Sequence, residues 1–174
     1  MTITTIQLII ALGICVGAVV LTVYLFHRAE ERRRFDEYRL RFSADVMPTR
    51  LQAYERMSLY LQRISPEASV QREQMNVNTA MELHTLLMTS IRQEFEHNMA
   101  MQIYISSASW KRILRAKEEV VKLLTEEAKE TNPKASSLEL GRKILEDAPQ
   151  RTTFYITRAI EGLRADLAGA FVNK

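Results

Sequence analysis

Apolar side chains occupy almost every position from 3 to 26, where Gln7 and a few threonines are the only polar groups. A helix over this segment is about 36 Å long at about 1.5 Å per residue, whereas the hydrocarbon core of a bilayer is about 30 Å thick. No Lys or Arg precedes the segment, and the bulky residues at 24–27 do not suit the cleavage site of a signal peptide. The pattern therefore predicts an uncleaved transmembrane anchor at 1–27.

Basic residues begin directly after this segment. The candidates for a basic cluster at the membrane surface are Arg28, Arg32, Arg33 and Arg34. Basic residues beside a span stay on the cytoplasmic side of a membrane and attract anionic lipid headgroups. We therefore expect a single-pass protein with its N-terminus outside and its C-terminal domain in the cytoplasm.

Beyond the arginines, apolar residues recur every three or four positions, which is the helical period, and no segment alternates as a strand does. The predicted helix breaks are Pro48, Pro66, Pro133 and Pro149. The sequence therefore predicts an all-α protein with one N-terminal transmembrane helix. A juxtamembrane helix at 28–47 and a cytoplasmic helical bundle of about five helices at 48–174 are expected to follow it.

Two pairs of residues have the spacing of a capping box, in which side chains satisfy free backbone N–H groups at a helix start. These pairs are Thr79 with Glu82 and Ser136 with Glu139. Residues 66–78 precede the first pair and lack a clear period. We expect an irregular connection there and a helix start at each pair.

Composition narrows the classes of function. The single cysteine, Cys15, lies in the predicted span, so the rest of the chain has no disulfide and no catalytic thiol. The 24 Lys and Arg residues are nearly balanced by 21 Asp and Glu residues, for a net charge of +3. This balance leaves no broad basic face, so no nucleic-acid partner is expected. A separate hypothesis for the function of the chain is that the arginines at 28–41 bind lipid or nucleic acid in a salt-dependent way.

Three segments carry a family resemblance. They are RLQAYER at 50–56, IRQEFEHN at 91–98 and QIYIS at 102–106, the last followed by Trp110 and by AKEEV at 116–120. In these segments the chain resembles an uncharacterised family of small single-span proteins from Bacteroidetes-type bacteria. The resemblance implies a location in the bacterial inner membrane, and it implies no activity or site residue.

Motifs of the common enzyme classes are absent: the sequence has no GxGxxG, GxxxxGK[ST], GxSxG or HExxH. One spacing could serve a metal ion, because Glu94 and His97 form the Glu-x-x-His pair of ferritin-like carboxylate proteins. Glu55 could add a ligand from a neighbouring helix. A second Glu-x-x-His pair is missing, so a charged helix face is the favoured interpretation and no cofactor is expected.

Gly13 and Gly17 form a GxxxG step, through which membrane helices can approach each other closely. Core filling is favoured over a flexible partner groove for the methionines at 75, 81, 88, 99 and 101. We expect a non-enzymatic, membrane-anchored scaffold, adaptor or accessory subunit. Its expected partners are the lipid bilayer and other proteins or a second copy, with no small-molecule substrate. The alternative is a membrane-tethered metal-carboxylate protein that uses Glu55, Glu94 and His97.

Overall fold

The structure is a computed structural model that describes residues 2–172, with side chains at 13, 17–28, 30, 31 and 46–169. The helices are α1 (Thr2–Arg63), α2 (Pro66–Glu73), α3 (Ala80–Asn98), a 3₁₀ helix (Met99–Tyr104), α4 (Ser107–Lys129), α5 (Ser137–Arg151) and α6 (Thr153–Val172). The described part of the chain has no β-strand, and its only extended pairing is a single bridge between Thr79 and Ser136. The described residues are therefore almost entirely helical.

The predicted transmembrane anchor at 1–27 is wrong. Among the residues that the structure describes, no helix is long and apolar enough to cross a membrane. The helix that contains this segment extends to Arg63. The predictions of a single-pass topology and of an inner-membrane location are corrected for the same reason.

The chain divides into two compact units, Met1–Met47 and Pro48–Lys174. The preference of proline for the first turn predicts that Pro48 begins a new helix, but Pro48 lies inside α1. Proline removes one backbone hydrogen bond and its ring crowds the carbonyl four residues earlier, yet α1 continues on both sides of Pro48. The first unit is helical in its described part, and the second unit contains the packed core.

The core of the second unit is built from one apolar stripe on each helix. α1 contributes Tyr54, Met57, Tyr60 and Leu61, which recur at three- and four-residue spacing and are at most 3% exposed. The stripe of α4 comprises Ile113, Ala116, Val120, Leu123 and Leu124, and that of α3 comprises Ala80, Leu83, Leu87 and Ile91. Because each stripe covers one helix face, the opposite faces remain available to solvent or to partners.

The starts of α3 and α5 are joined through their backbones. Thr79 accepts a hydrogen bond from the Glu82 N–H, and the Glu82 carboxylate accepts one from the Thr79 N–H, so the predicted capping box is confirmed. Ser136 caps α5 by accepting from the Glu139 N–H. The Ser137 N–H donates to the Asn78 carbonyl at 2.9 Å. The two helix starts thus satisfy each other's free backbone groups.

Two helix limits differ from those predicted. Pro66–Glu73 is the helix α2, where an irregular connection is predicted, because Ser65 caps it and Pro66 begins it. With Val70 as its one large buried apolar residue, α2 is too short to show a period. α5 continues through Pro149 to Arg151, although the proline is predicted to stop it.

Candidate functional site

A cleft with a volume of about 670 Å³ lies between α3 and α4. Its lining follows one stripe of α3, from His84 through Met88 to Phe95, continues to Met99 at the start of the 3₁₀ helix, and includes Val121 of α4. Met88, Phe95 and Val121 are partly buried against the core, so each keeps apolar surface that faces the cleft. The stripe from 84 to 99 is about 22 Å long at 1.5 Å per residue. We call this surface the α3–α4 cleft.

Phe95, in the apolar floor of the cleft, packs against two other aromatic rings. The Phe95 ring lies 6.0 Å from the Tyr60 ring and 6.0 Å from the Trp110 ring, measured between centroids. The Lys117 ammonium lies 4.1 Å from the centroid of the Phe95 ring, within the range of a cation–π contact. These contacts fix the position of Phe95, because its ring is held from three sides.

The polar rim of the cleft carries Arg92, Glu96 and Lys117. Within the described residues, neither Arg92 nor Lys117 forms an ion pair with a carboxylate. Arg92 is exposed, whereas Lys117 is half-buried over the Phe95 ring. The cleft therefore combines an apolar floor with two cations that are free to bind acidic groups.

His84 lies at one end of the cleft, and its Nε2 atom is buried without a hydrogen-bond partner among the described residues. Burial lowers the pKa of His84 below its usual value of 6.5, because the charged imidazolium is poorly solvated there. The folded state therefore favours the neutral imidazole near pH 7.

We expect this histidine to make the stability of the bundle depend on pH. Because its pKa is lower in the folded state, the unfolded chain binds more protons as the pH falls through about 6.5. The free energy of unfolding should therefore fall between about pH 7.5 and about pH 5.5, and His84→Gln should reduce that fall. Urea unfolding at the two pH values measures both. Equal pH dependence of the two proteins would contradict the assignment to His84.

The three residues of the alternative metal site are divided between two clefts. Arg63 Nη2 lies 2.9 Å from Glu94 Oε1, and Glu94 and His97 line a shallow cleft with Ser90 and Gln93. Glu55 lines a different cleft, formed with residues of α6. The described residues contain no group of three His, Cys, Asp or Glu side chains that could hold a metal ion. Glu94 instead stabilises the contact between α1 and α3.

The other predicted residues lie outside the packed unit. A Cβ atom at Gly13 or Gly17 would meet nothing within 4 Å among the described atoms, and their role as a contact between membrane helices presupposes the span. The Arg28 side chain is exposed. Those of Arg32, Arg33 and Arg34 lie outside the described residues.

The methionines fill the core less often than expected. Met75 is 77% exposed, Met81 is 59% exposed and Met99 is 45% exposed. Met81 lies seven residues before Met88, on the same side of α3. Besides the buried stripe of α3, the sequence has a second stripe with helical spacing that indicates this cleft. It comprises positions 81, 85, 88, 92, 95 and 99.

Comparison with known proteins gives this chain a family but no activity. No curated protein and no solved structure matches it. The expectation of an uncharacterised family is confirmed by a family profile that matches residues 1–170. The chain belongs to the family of unknown function DUF7935.

Proposed function

We propose that this chain is a non-enzymatic scaffold or adaptor whose bundle binds an amphipathic helix of a partner protein in the α3–α4 cleft. The observation that carries the proposal is an apolar stripe made of the partly buried Met88 and Phe95 and the exposed Met99, which runs between two cations that form no ion pair. A helix that binds in a groove uses apolar anchors three, four and seven residues apart, and the apolar side chains of this stripe are seven and four residues apart. The family resemblance adds a Bacteroidetes-type bacterial origin to the proposal.

The dimensions of the cleft favour a helix over a small ligand. The lining from His84 to Met99 extends along about four turns of α3, the length of a helix of about 15 residues. Thioether side chains at both Met88 and Met99 can adapt to apolar groups of different shape. A partner helix would cover the exposed parts of these side chains and of Phe95.

Two of the three charged residues at the rim are cations and the third is Glu96, so the rim favours an acidic partner. Arg92 and Lys117 lie on opposite walls, one on α3 and one on α4, and no carboxylate of the described chain neutralises them. Aspartate or glutamate residues on both sides of the partner's apolar face would pair with these two cations. Such complementary charges select the partner by penalising a basic helix in the same groove.

The test uses two synthetic amphipathic helices of about 18 residues with the same leucine and methionine face. One carries glutamates on both sides of that face and the other carries lysines. Fluorescence anisotropy with the 174-residue chain should show at least tenfold tighter binding of the glutamate peptide at low salt. The double variant Arg92→Glu with Lys117→Glu should reverse this preference.

Arg142→Glu is the matched control, because Arg142 is an exposed arginine of α5 that does not line the cleft. It should leave the order of the two affinities unchanged. The proposal fails if neither peptide binds at millimolar concentration. It also fails if the Arg92 and Lys117 double variant keeps the preference of the unmodified protein.

A further inference from the structure

A second cleft lies where the first turns of α4 and α6 meet, and it is independent of the α3–α4 cleft. It has a volume of about 280 Å³ and is lined only by basic and aromatic side chains. These are Lys111, Arg112, Arg115, Phe154, Tyr155 and Arg158. Four cations thus surround two aromatic rings, and we call this surface the basic cleft.

Most of the positive charge in the basic cleft is not neutralised. Arg115 Nη2 lies 2.6 Å from Glu119 Oε1, and Arg115 also lies within 3.9 Å of Glu118. Lys111, Arg112 and Arg158 form no ion pair with a carboxylate of the described chain. Three like charges at one small cleft repel each other, and an anion bound between them would relieve that repulsion.

Contacts with neighbouring groups order the arginines. The Arg158 guanidinium carbon lies 5.6 Å from the centroid of the Phe154 ring, and that of Arg115 lies 5.7 Å from the Tyr155 ring. Arg112 packs over Gly162, because a Cβ atom at Gly162 would lie 2.6 Å from Arg112 Nη1. The glycine therefore makes room for a guanidinium group at the cleft.

The aromatic rings offer the ligand a second kind of contact. Phe154 is 59% exposed, and its ring centroid lies 5.4 Å from that of Tyr155 in an edge-to-face arrangement. An exposed phenylalanine ring is a surface on which a planar ring can stack. Arginine donors match the oxygens of a phosphate group in geometry. The cleft thus suits a molecule that has both a phosphate and a flat ring.

Acidic residues limit the size of the ligand. Glu118 and Glu119 lie beside Arg115, and Glu161 lines the neighbouring surface with Phe154 and Arg158. A long polyanion such as nucleic acid would meet these carboxylates with its next phosphates, which is unfavourable. The cleft volume is also near the lower end of the range for small-molecule sites, about 300–1,000 Å³.

We infer that the basic cleft binds a small phosphate ester of a planar ring, in the chemical class of the mononucleotides. Arg158 and Lys111 would contact the phosphate, and Phe154 would stack on the ring. The inference does not rest on the binding of a partner helix, because the two clefts share no lining residue.

The test is calorimetric titration of the 174-residue chain with AMP, and with adenosine and inorganic phosphate as its two halves. We expect AMP to bind with Kd below about 1 mM and at least tenfold tighter than either half. Arg158→Ala and Lys111→Ala should each weaken AMP binding about tenfold. Phe154→Ala should weaken AMP binding by a larger factor than it weakens the binding of inorganic phosphate, because the ring stacks on the base and also orders Arg158.

Arg142→Ala is the matched control, since it removes an exposed arginine from a different part of the bundle and should leave AMP binding unchanged. Arg112 is kept in all variants because it packs against Gly162. The inference is overturned if AMP does not bind at several millimolar or if the cleft variants bind it normally. It is also overturned if single-stranded DNA of about 12 nucleotides binds at least tenfold tighter than AMP.

Discussion

Tyr60→Ala should lower the free energy of unfolding by about 3–5 kcal/mol, the range for removal of a large aromatic ring from a packed core. Tyr60 is 1% exposed, and its ring contacts that of Phe95 at a centroid distance of 6.0 Å. The alanine variant would leave a cavity beneath Phe95 as well as losing buried area. Urea unfolding followed by circular dichroism measures the change.

Tyr60→Phe is the control that separates the ring from the hydroxyl group. The Tyr60 hydroxyl is buried without a hydrogen-bond partner among the described residues. Burial, and then the charge of Glu94, raise the pKa of Tyr60 above its usual value. Removing an unsatisfied buried hydroxyl should leave stability unchanged or increase it by about 1 kcal/mol. A loss as large as that of Tyr60→Ala would contradict this view of the hydroxyl.

The same pair of variants connects the core with the α3–α4 cleft. Phe95 packs on Tyr60 from one side and lines the cleft with its other surface. A cavity at Tyr60 would therefore loosen the floor of the cleft, whereas Tyr60→Phe would retain it. Weaker binding of the glutamate peptide to Tyr60→Ala, with normal binding to Tyr60→Phe, is the expected pattern.

Local capping signals in the sequence predict the starts of α3 and α5. The Thr79 and Glu82 pair is decisive because both partners of the capping box lie within one turn. Ser106 is one of several serines that could cap α4, and the structure selects it by a hydrogen bond from the Ser109 N–H. Such contacts join residues that are close in the sequence, so the pattern of residue types predicts them.

Prolines and long apolar segments mislead because their effect depends on what surrounds them. Pro48 and Pro149 are helix breaks by their intrinsic preference, yet each lies inside a helix. The apolar segment 3–26 predicts a span, whereas no helix among the described residues is long and apolar enough to cross a membrane. Composition over a window does not reveal where a helix ends.

The candidate sites depend on contacts between helices, which the sequence does not state. Lys117 and Phe95 are 22 positions apart, and only the packing of α4 on α3 brings the ammonium over the ring. Arg112 and Gly162 meet in the same way across α4 and α6. By contrast, Glu94 and His97 are candidate metal ligands only because they are three residues apart in the sequence. In the structure Glu94 forms an ion pair with Arg63.

Arg151→Ala should lower the free energy of unfolding by about 2 kcal/mol at pH 7, because it leaves several carboxylates without their shared cation. Arg151 pairs with Glu126, approaches Glu127 at 3.5 Å and lies 4.0 Å from Asp147. Glu127 is 7% exposed, so its charge has little compensation from water once the guanidinium is removed. Urea unfolding gives the change in stability.

The pH dependence of this loss identifies its cause. Burial, followed by the charges of Asp147 and Glu130, raises the pKa of Glu127 above 4.5 even in the presence of Arg151. A group whose pKa is raised in the folded state stabilises that state at pH values below its pKa in the unfolded chain. This contribution is lost as the pH rises through its pKa in the folded state. Without Arg151 the pKa should rise further, so the loss should be largest at pH 7 and smaller near about pH 4.5.

Two comparisons make this prediction specific to the carboxylates. Arg142→Ala removes an exposed arginine that pairs with Glu146, and should cost less than about 0.5 kcal/mol at either pH. Glu127→Gln in the Arg151→Ala background should recover part of the stability at pH 7, because it removes the least solvated charge. An equal loss at both pH values would instead assign the role of Arg151 to the packing of its side chain between α4 and α5.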